Sequence, residues 1–241
     1  MIKILKALAL QNNQLIKDVR NVKMRDNFKG LPSIKCSCKD CKICEEVCPT
    51  GAIKNGQIDL GKCTFCCECE RVCPNQAIKF TTNNRMCATS REELLTDGVL
   101  NPAKVKEEIK KTFGRSLKLR QVSAGGCNAC EMELNASSNA NFDIGRYGIE
   151  FVASPRHADG IVVTGPISKN MAKALEETYN AIAEPKIIIA VGACAISGGI
   201  YQDSPEIDRS FFEKHKPDLY IPGCPAHPLV IINAILDFLG K

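Results

Sequence analysis

The chain has 241 residues, 44% of them hydrophobic and 24% charged, with a formal net charge of +5; this suits one or two soluble globular domains and excludes a disordered or collagen-like chain. Its 15 cysteines are too many to ignore, and their odd, dispersed set excludes the disulfide framework of a small secreted protein. The start, MIKILKALALQNNQ, puts lysines inside a short apolar run with no small-residue cleavage site and no twin arginine, so we expect a reducing, cytoplasmic location in which clustered thiols hold metal.

Residues 1–35 form a basic arm, with eight Lys or Arg against Asp18 and Asp26. Such an arm suits an acidic protein, an anionic lipid surface or nucleic acid, but solvated surface flanking a docked segment is the simpler reading. Residues 36–90 contain an internal repeat of 25 residues: Cys38, Cys41, Cys44, Cys48, Pro49, Ala52, Ile53 and Lys54 recur as Cys63, Cys66, Cys69, Cys73, Pro74, Ala77, Ile78 and Lys79. Each copy reads C-x2-C-x2-C-x3-C-P. Three thiolates of such a loop wrap one face of an iron–sulfur cubane, and the fourth, before proline, turns away to the other cluster. Cluster one is therefore assigned Cys38, Cys41, Cys44 and Cys73, and cluster two Cys63, Cys66, Cys69 and Cys48. A zinc ribbon needs only four ligands, whereas eight stand here in register. Cys36, Cys67 and Cys87 lie outside the register and default to free structural thiols, Cys67 facing the cluster surroundings or solvent.

Residues 91–115 read as a linker. Asn101-Pro102 supplies a helix start, and Val105, Ile109 and Phe113 share one face, which predicts a helix over 101–113. From 116 to 241 the texture becomes α/β. The runs LKLRQVS, IEFVAS, GIVVTG, KIIIAVG and DLYIPG predict strands, most ending in Gly or a small residue. Between two of them Met171, Leu175, Thr178 and Ile182 mark one face of a helix, and a last helix runs from Pro228 to Leu239. The alternation predicts a flavodoxin-like open parallel sheet beside a small α+β ferredoxin-like domain. The longest uncharged run, Leu219 to Leu236, contains Pro222, Pro225 and Pro228 and does not read as a membrane span.

Cys127 and Cys130 in GGCNACEMEL, Cys194 in VGACAISGG and Cys224 in IPGCPAHP each follow a predicted strand at a Gly-rich turn, where ligands of open α/β sheets collect. Four thiols converging there fit a third [4Fe-4S] cluster. Around them, Glu133 is the stronger candidate to relay protons or tune potential, Glu131 the weaker, and helix N-terminal placement explains both more simply. His227 suits a hydrogen bond to a cluster sulfur or to a partner, and equally a residue that starts a helix. His157 and His215 read as surface residues, and Arg146 and Arg156 face either the cluster and a partner or an ordinary ion pair. No G-x-G-x-x-G or Walker sequence opens a helix, so no nucleotide site is expected.

These motifs carry a resemblance. GGCNACEMEL (125–134), FDIGRYGIEFVASPRHADGIVVTGPIS (142–168), EPKIIIAVGACAISGG (184–199) and IPGCPAHP (221–228) make residues 116–241 similar to the small subunit of energy-converting, membrane-bound [NiFe] hydrogenases, formate hydrogenlyase included. They also resemble the homologous cluster-bearing subunit of respiratory complex I. The N-terminal part, with NFKGLP before its first cysteines, looks like the two-cluster ferredoxin polypeptide of the same complexes; finding both in one chain departs from several relatives. The spacing Cys127-x2-Cys130 is that of the hydrogenases, whereas complex I homologues have adjacent cysteines at the first position.

The resemblance implies an electron-transfer subunit with three [4Fe-4S] clusters, the one on Cys127, Cys130, Cys194 and Cys224 lying proximal to a Ni–Fe site on a separate large subunit. It implies a donor such as ferredoxin or another iron–sulfur subunit, membrane-embedded partner subunits, and a place at the cytoplasmic face of the membrane. No nucleic-acid partner and no activity of the isolated chain are expected. The alternatives are a complex I-like module whose large subunit lacks nickel and, from a different class, a metal-stabilised scaffold without electron transfer.

Overall fold

The computed structural model describes residues 3–6, 14–35, 41–100 and 107–241. Cys36 and Cys38 lie outside the described residues, as do Asn101, Pro102 and Val105 of the expected helix start.

The N-terminal half is built of short elements around the cysteine repeat. Strand β1 (Pro32–Ile34) is followed by helix α1 (Ile43–Glu46), strands β2 (Ile53–Lys54) and β3 (Gln57–Asp59), helix α2 (Glu68–Val72), and strands β4 (Ile78–Phe80) and β5 (Leu95–Thr96). The β2–β3 hairpin turns on Asn55-Gly56, both with positive φ (51° and 74°), the geometry that this dipeptide favours. β1 pairs antiparallel with β4, and β3 with β5. The end of the expected basic arm and part of the expected linker therefore complete the sheets of the cysteine domain.

Helix α3 (Glu107–Phe113) leads into a five-stranded sheet: β6 (Leu117–Ser123), α4 (Ala129–Ser137), β7 (Ile149–Phe151), β8 (Gly160–Thr164), α5 (Lys169–Asn180), β9 (Ile187–Val191), α6 (Ala193–Ser197), α7 (Ser210–Lys214), β10 (Leu219–Ile221) and α8 (Pro228–Leu239). Every pairing is parallel, in the order β7-β6-β8-β9-β10. Counted from its own first strand this is 2-1-3-4-5, the flavodoxin order, with its switch point between β6 and β8. β8 and β9 are buried at every position, as expected for central strands covered on both faces.

On one face, Leu175 of α5 and Phe211 of α7 pack with Ile161, Val163 and Ile188. On the other, α4 and α8 join a core that continues without a break into Ile58, Leu60 and Leu94 of the cysteine domain. α8 is apolar nearly all round and buried accordingly. Pro228 begins it, His227 Nδ1 accepts the Leu229 N–H at 3.1 Å, and Gly240 ends it in the left-handed conformation. The segment before β1 lies across this helix: Asn233 Nδ2 donates to the Val19 carbonyl (3.0 Å), and Arg20 and Arg85 both reach Asp237. The cysteine domain also extends the sheet, since Ala88 and Tyr220 exchange backbone hydrogen bonds of 3.1 and 2.8 Å.

Candidate metal centres

Eleven of the twelve predicted ligands lie among the described residues, and these eleven fall in three places. Cys41, Cys44 and Cys73 line a cavity of about 320 Å³ with Ile34, Ile53 and Ile78. That is far more than the ~30 Å³ share of one water, hence more than a single ion needs. Burial raises the Cys44 thiol, and the neighbouring Cys41 and Cys73 add to the shift. Cys73 is held the other way, chiefly by the Ala77 N–H (3.2 Å to Sγ).

Cys48, Cys63, Cys66 and Cys69 surround a second, much smaller space of about 10 Å³ with Ala52, Ile58 and Phe80, Cys66 lying at its exposed edge. Burial pushes Cys63 and Cys69 up to about 12, and the other thiols of this group push further. The Ala52 N–H donates to Cys48 Sγ at 3.2 Å, the same contact four residues on that Ala77 makes with Cys73, so the two copies fold alike. Phe65 N–H donates to Cys63 Sγ at 3.4 Å.

The third group sits beyond the carboxyl ends of β6, β9 and β10. Cys130 and Cys194 are partly buried, Cys127 and Cys224 exposed. Burial pushes Cys130 up to about 12 and Cys194 to about 11, with Cys224 contributing to both. For Cys224, burial leads, followed by Cys127 and by Cys66 of the second group. Glycine is required beside this site: a Cβ on Gly192 (φ +88°) would stand 2.6 Å from Cys130 Sγ, and one on Gly199 3.0 Å from Cys194 Sγ.

The donor set fits [4Fe-4S] clusters. Buried thiols that hinder one another's ionisation need a cationic centre between them to become thiolates, and iron provides it. Backbone N–H groups aimed at sulfur and glycine-lined approaches add what such clusters use. Among the described residues no three His, Cys, Asp or Glu side chains meet around a point that one metal ion would fill.

The supporting residues are sorted by the fold. Glu131 is buried, its Oε1 accepting from Ser123 Oγ (2.6 Å) and Thr164 Oγ1 (2.7 Å) across the β6/β8 switch point. Glu133, the stronger candidate on sequence grounds, lines an open groove with Cys224 and His227, and burial raises its carboxyl. His227 stands edge-on between Phe28 (5.5 Å) and Phe142 (5.8 Å), and burial lowers its imidazole. With Nδ1 accepting from Leu229, the neutral ring carries its proton on Nε2.

Arg146 donates to the Ile16 carbonyl and covers the Tyr147 ring, while Arg156 and His157 are exposed. His215 differs from the surface expectation: it is half-buried against Tyr179 and Phe211, with Nε2 3.2 Å from Glu176. Of the two settings expected for Cys67 it takes the first: it is buried in the left-handed conformation at the start of α2 and lines the space of the second thiol group, and Cys87 is buried with its thiol pushed up to about 12. Sequence reasoning missed Arg209, which binds the turn carrying Cys194; its only signal was a basic residue in the loop between two cysteine motifs.

Residues 127–238 match the family described as NADH ubiquinone oxidoreductase, 20 kDa subunit, and residues 37–54 and 57–79 match the 4Fe-4S binding domain. The chain is 34% identical over 134 residues to the "probable membrane-bound hydrogenase subunit" of Pyrococcus furiosus, covering 56% of this chain and 80% of that one. It is 37% identical over 138 residues to formate hydrogenlyase subunit 7 of Escherichia coli, covering 57% of this chain and 54% of that one. It is 39% identical over 119 residues to an NADH-quinone oxidoreductase subunit of Geotalea daltonii, covering 48% of this chain and 69% of that one. The chain thus belongs to the NADH ubiquinone oxidoreductase 20 kDa subunit family, joined here to a 4Fe-4S binding domain, and is an iron–sulfur electron-transfer subunit of hydrogenase- and complex I-like oxidoreductases.

Proposed function

We propose that the chain holds three [4Fe-4S] clusters and conducts electrons along itself. The first is bound by Cys38, Cys41, Cys44 and Cys73, the second by Cys63, Cys66, Cys69 and Cys48, and the third by Cys127, Cys130, Cys194 and Cys224. Each cluster, when bound, supplies a one-electron redox couple. The chain's own residues fix spacing, exclude water and aim N–H groups at sulfur. Residues 36–90 act as the receiving ferredoxin-like unit and 116–241 as the delivering unit, with 91–115 joining them and 1–35 as the basic arm.

The observation that most supports this reading is the single core shared by the cysteine domain and the parallel-sheet domain, across which Cys66 acts electrostatically on Cys224. Their common core holds the two halves in register.

A ferredoxin-type carrier or another iron–sulfur subunit supplies the electrons. A [NiFe] large subunit receives them at the face where Cys127 and Cys224 are exposed beside Met132. The Cys127-x2-Cys130 spacing favours nickel over the nickel-free, complex I-like alternative. Among the described residues no helix is long and apolar enough to cross a membrane, so attachment to its cytoplasmic face is assigned to membrane-embedded partners.

Purification of the native complex tests the reading. Nickel in stoichiometric amount with the large subunit supports the hydrogenase assignment. A full complement of iron without nickel favours the alternative, and iron that no reductant changes leaves only the scaffold.

A further inference from the structure

We propose that Arg209 is a positioning residue for the third thiol group: a fixed positive charge, held under Cys194 by backbone carbonyls alone, that raises the reduction potential of the cluster bound there. The inference rests on the ligand reading above and goes beyond it, because it assigns control of potential to a residue remote from every cysteine motif.

The geometry is specific. Arg209 Nη1 donates to the carbonyls of Pro166 (3.3 Å) and Cys194 (3.4 Å), and Nη2 to those of Ala195 (2.7 Å) and Ile196 (3.0 Å). The guanidinium carbon lies 5.1 Å from the Phe212 ring centroid. Three of the four acceptors belong to α6, whose five residues leave most of their carbonyls without helical partners. A planar fork with five donors satisfies several of them at once.

What the guanidinium does not touch matters more. Among the described residues no Asp or Glu stands within ion-pair distance of it. The neighbouring Asp208 turns its carboxylate to the Ser210 N–H (2.9 Å). The other strong charge acting on it is Arg91, of the same sign and itself bound to Asp59 at 2.6 Å. Burial lowers its pKa to about 10, which leaves it charged at neutral pH.

A half-buried cation without a counter-carboxylate is costly to keep. The anion that would offset it is the bound cluster with its Cys194 thiolate, carried on the same turn whose carbonyls hold the guanidinium. Reduction adds an electron to that anionic site, and a nearby fixed cation favours the added charge. Capping of α6 alone would not require the charge.

Full-length protein, reconstituted anaerobically with iron and sulfide, separates the two roles in a redox titration followed by electron paramagnetic resonance. The third cluster's signal is identified as the one lost in Cys224→Ala. Arg209→Gln and Arg209→Met are expected to shift that midpoint to more negative potential and leave the other two in place, and Arg209→Lys to restore most of the shift. An unmoved midpoint in Arg209→Gln, or an equal shift in Arg209→Lys, would show that only the cap matters and overturn the inference. If no signal depends on Cys224 at all, the ligand assignment itself fails and takes this inference with it.

Discussion

Replacement of Gly192 by alanine should empty the third site and spare the other two. Gly192 has φ +88° and ψ 155°, a region essentially reserved for glycine, so any side chain there costs on the order of 1–3 kcal/mol of strain. The larger effect is local. The new Cβ would lie 2.6 Å from Cys130 Sγ and 3.5 Å from the Gly223 carbonyl. To reach ordinary contact the sulfur must retreat by roughly 1 Å, while metal–ligand distances tolerate only about ±0.2 Å. Cys130 then no longer meets the other three thiols. Anaerobic reconstitution followed by iron analysis is expected to fall from about twelve to about eight irons per chain, one cubane of three. Gly56→Ala is the control: φ is +74° but nothing lies within 4 Å of the added carbon, so it carries backbone strain of about 1–2 kcal/mol and keeps its iron. Full iron and an unchanged third signal in Gly192→Ala would refute the geometry of the site.

The crossed ligand pattern predicts that Cys48→Ala disturbs the signal lost in Cys63→Ala, and Cys73→Ala the signal lost in Cys41→Ala; the opposite pairing of the two signals would contradict crossing. Asp237 is partly buried between Arg20 and Arg85, so Asp237→Ala takes the carboxylate from both guanidinium groups and leaves Arg20 only the Asn233 and Lys241 carbonyls; a loss of roughly 1–3 kcal/mol is expected in thermal melts, with faster proteolysis within residues 14–31. Burial holds the His227 pKa below its usual value, so as pH falls through about 6.5 the unfolded chain takes up the proton first and stability drops. The His227→Gln variant should therefore show a flatter melting-temperature profile between about pH 7.5 and 5.5 than the parent, and parallel profiles would show that His227 does not contribute.

Much of this was legible in the residues because their spacing has few physical solutions. A cysteine repeat in register leaves a chain little choice of ligand loop, and both copies make the same Ala N–H to Cys Sγ contact. The apolar runs became β8, β9 and β10 because short buried strands covered on both faces read as unbroken hydrophobic stretches, while β6 buries Leu117, Leu119 and Val122 among polar neighbours. The last helix begins at Pro228 and ends at Leu239, where proline and glycine punctuate it.

What stayed hidden depends on partners distant in sequence. Nothing in PSI announces that β1 pairs with β4 some 46 residues on, nor does LTDG announce β5 beside β3. The arm's charges read as solvated surface, yet Arg20 is anchored to Asp237 more than 200 residues away. Glu131 looked weaker than Glu133 because both follow the cysteines alike; only the sheet shows that Ser123 and Thr164 hold the first in the interior. Arg209 is a lone basic residue in a loop until α6 turns its carbonyls toward it.

The most direct measurement is the number of irons and acid-labile sulfides bound per full-length chain, with Mössbauer spectra to sort them by cluster type. The account requires about twelve of each, all in cubanes that accept an electron. Eight of each, or zinc in their place, would contradict it.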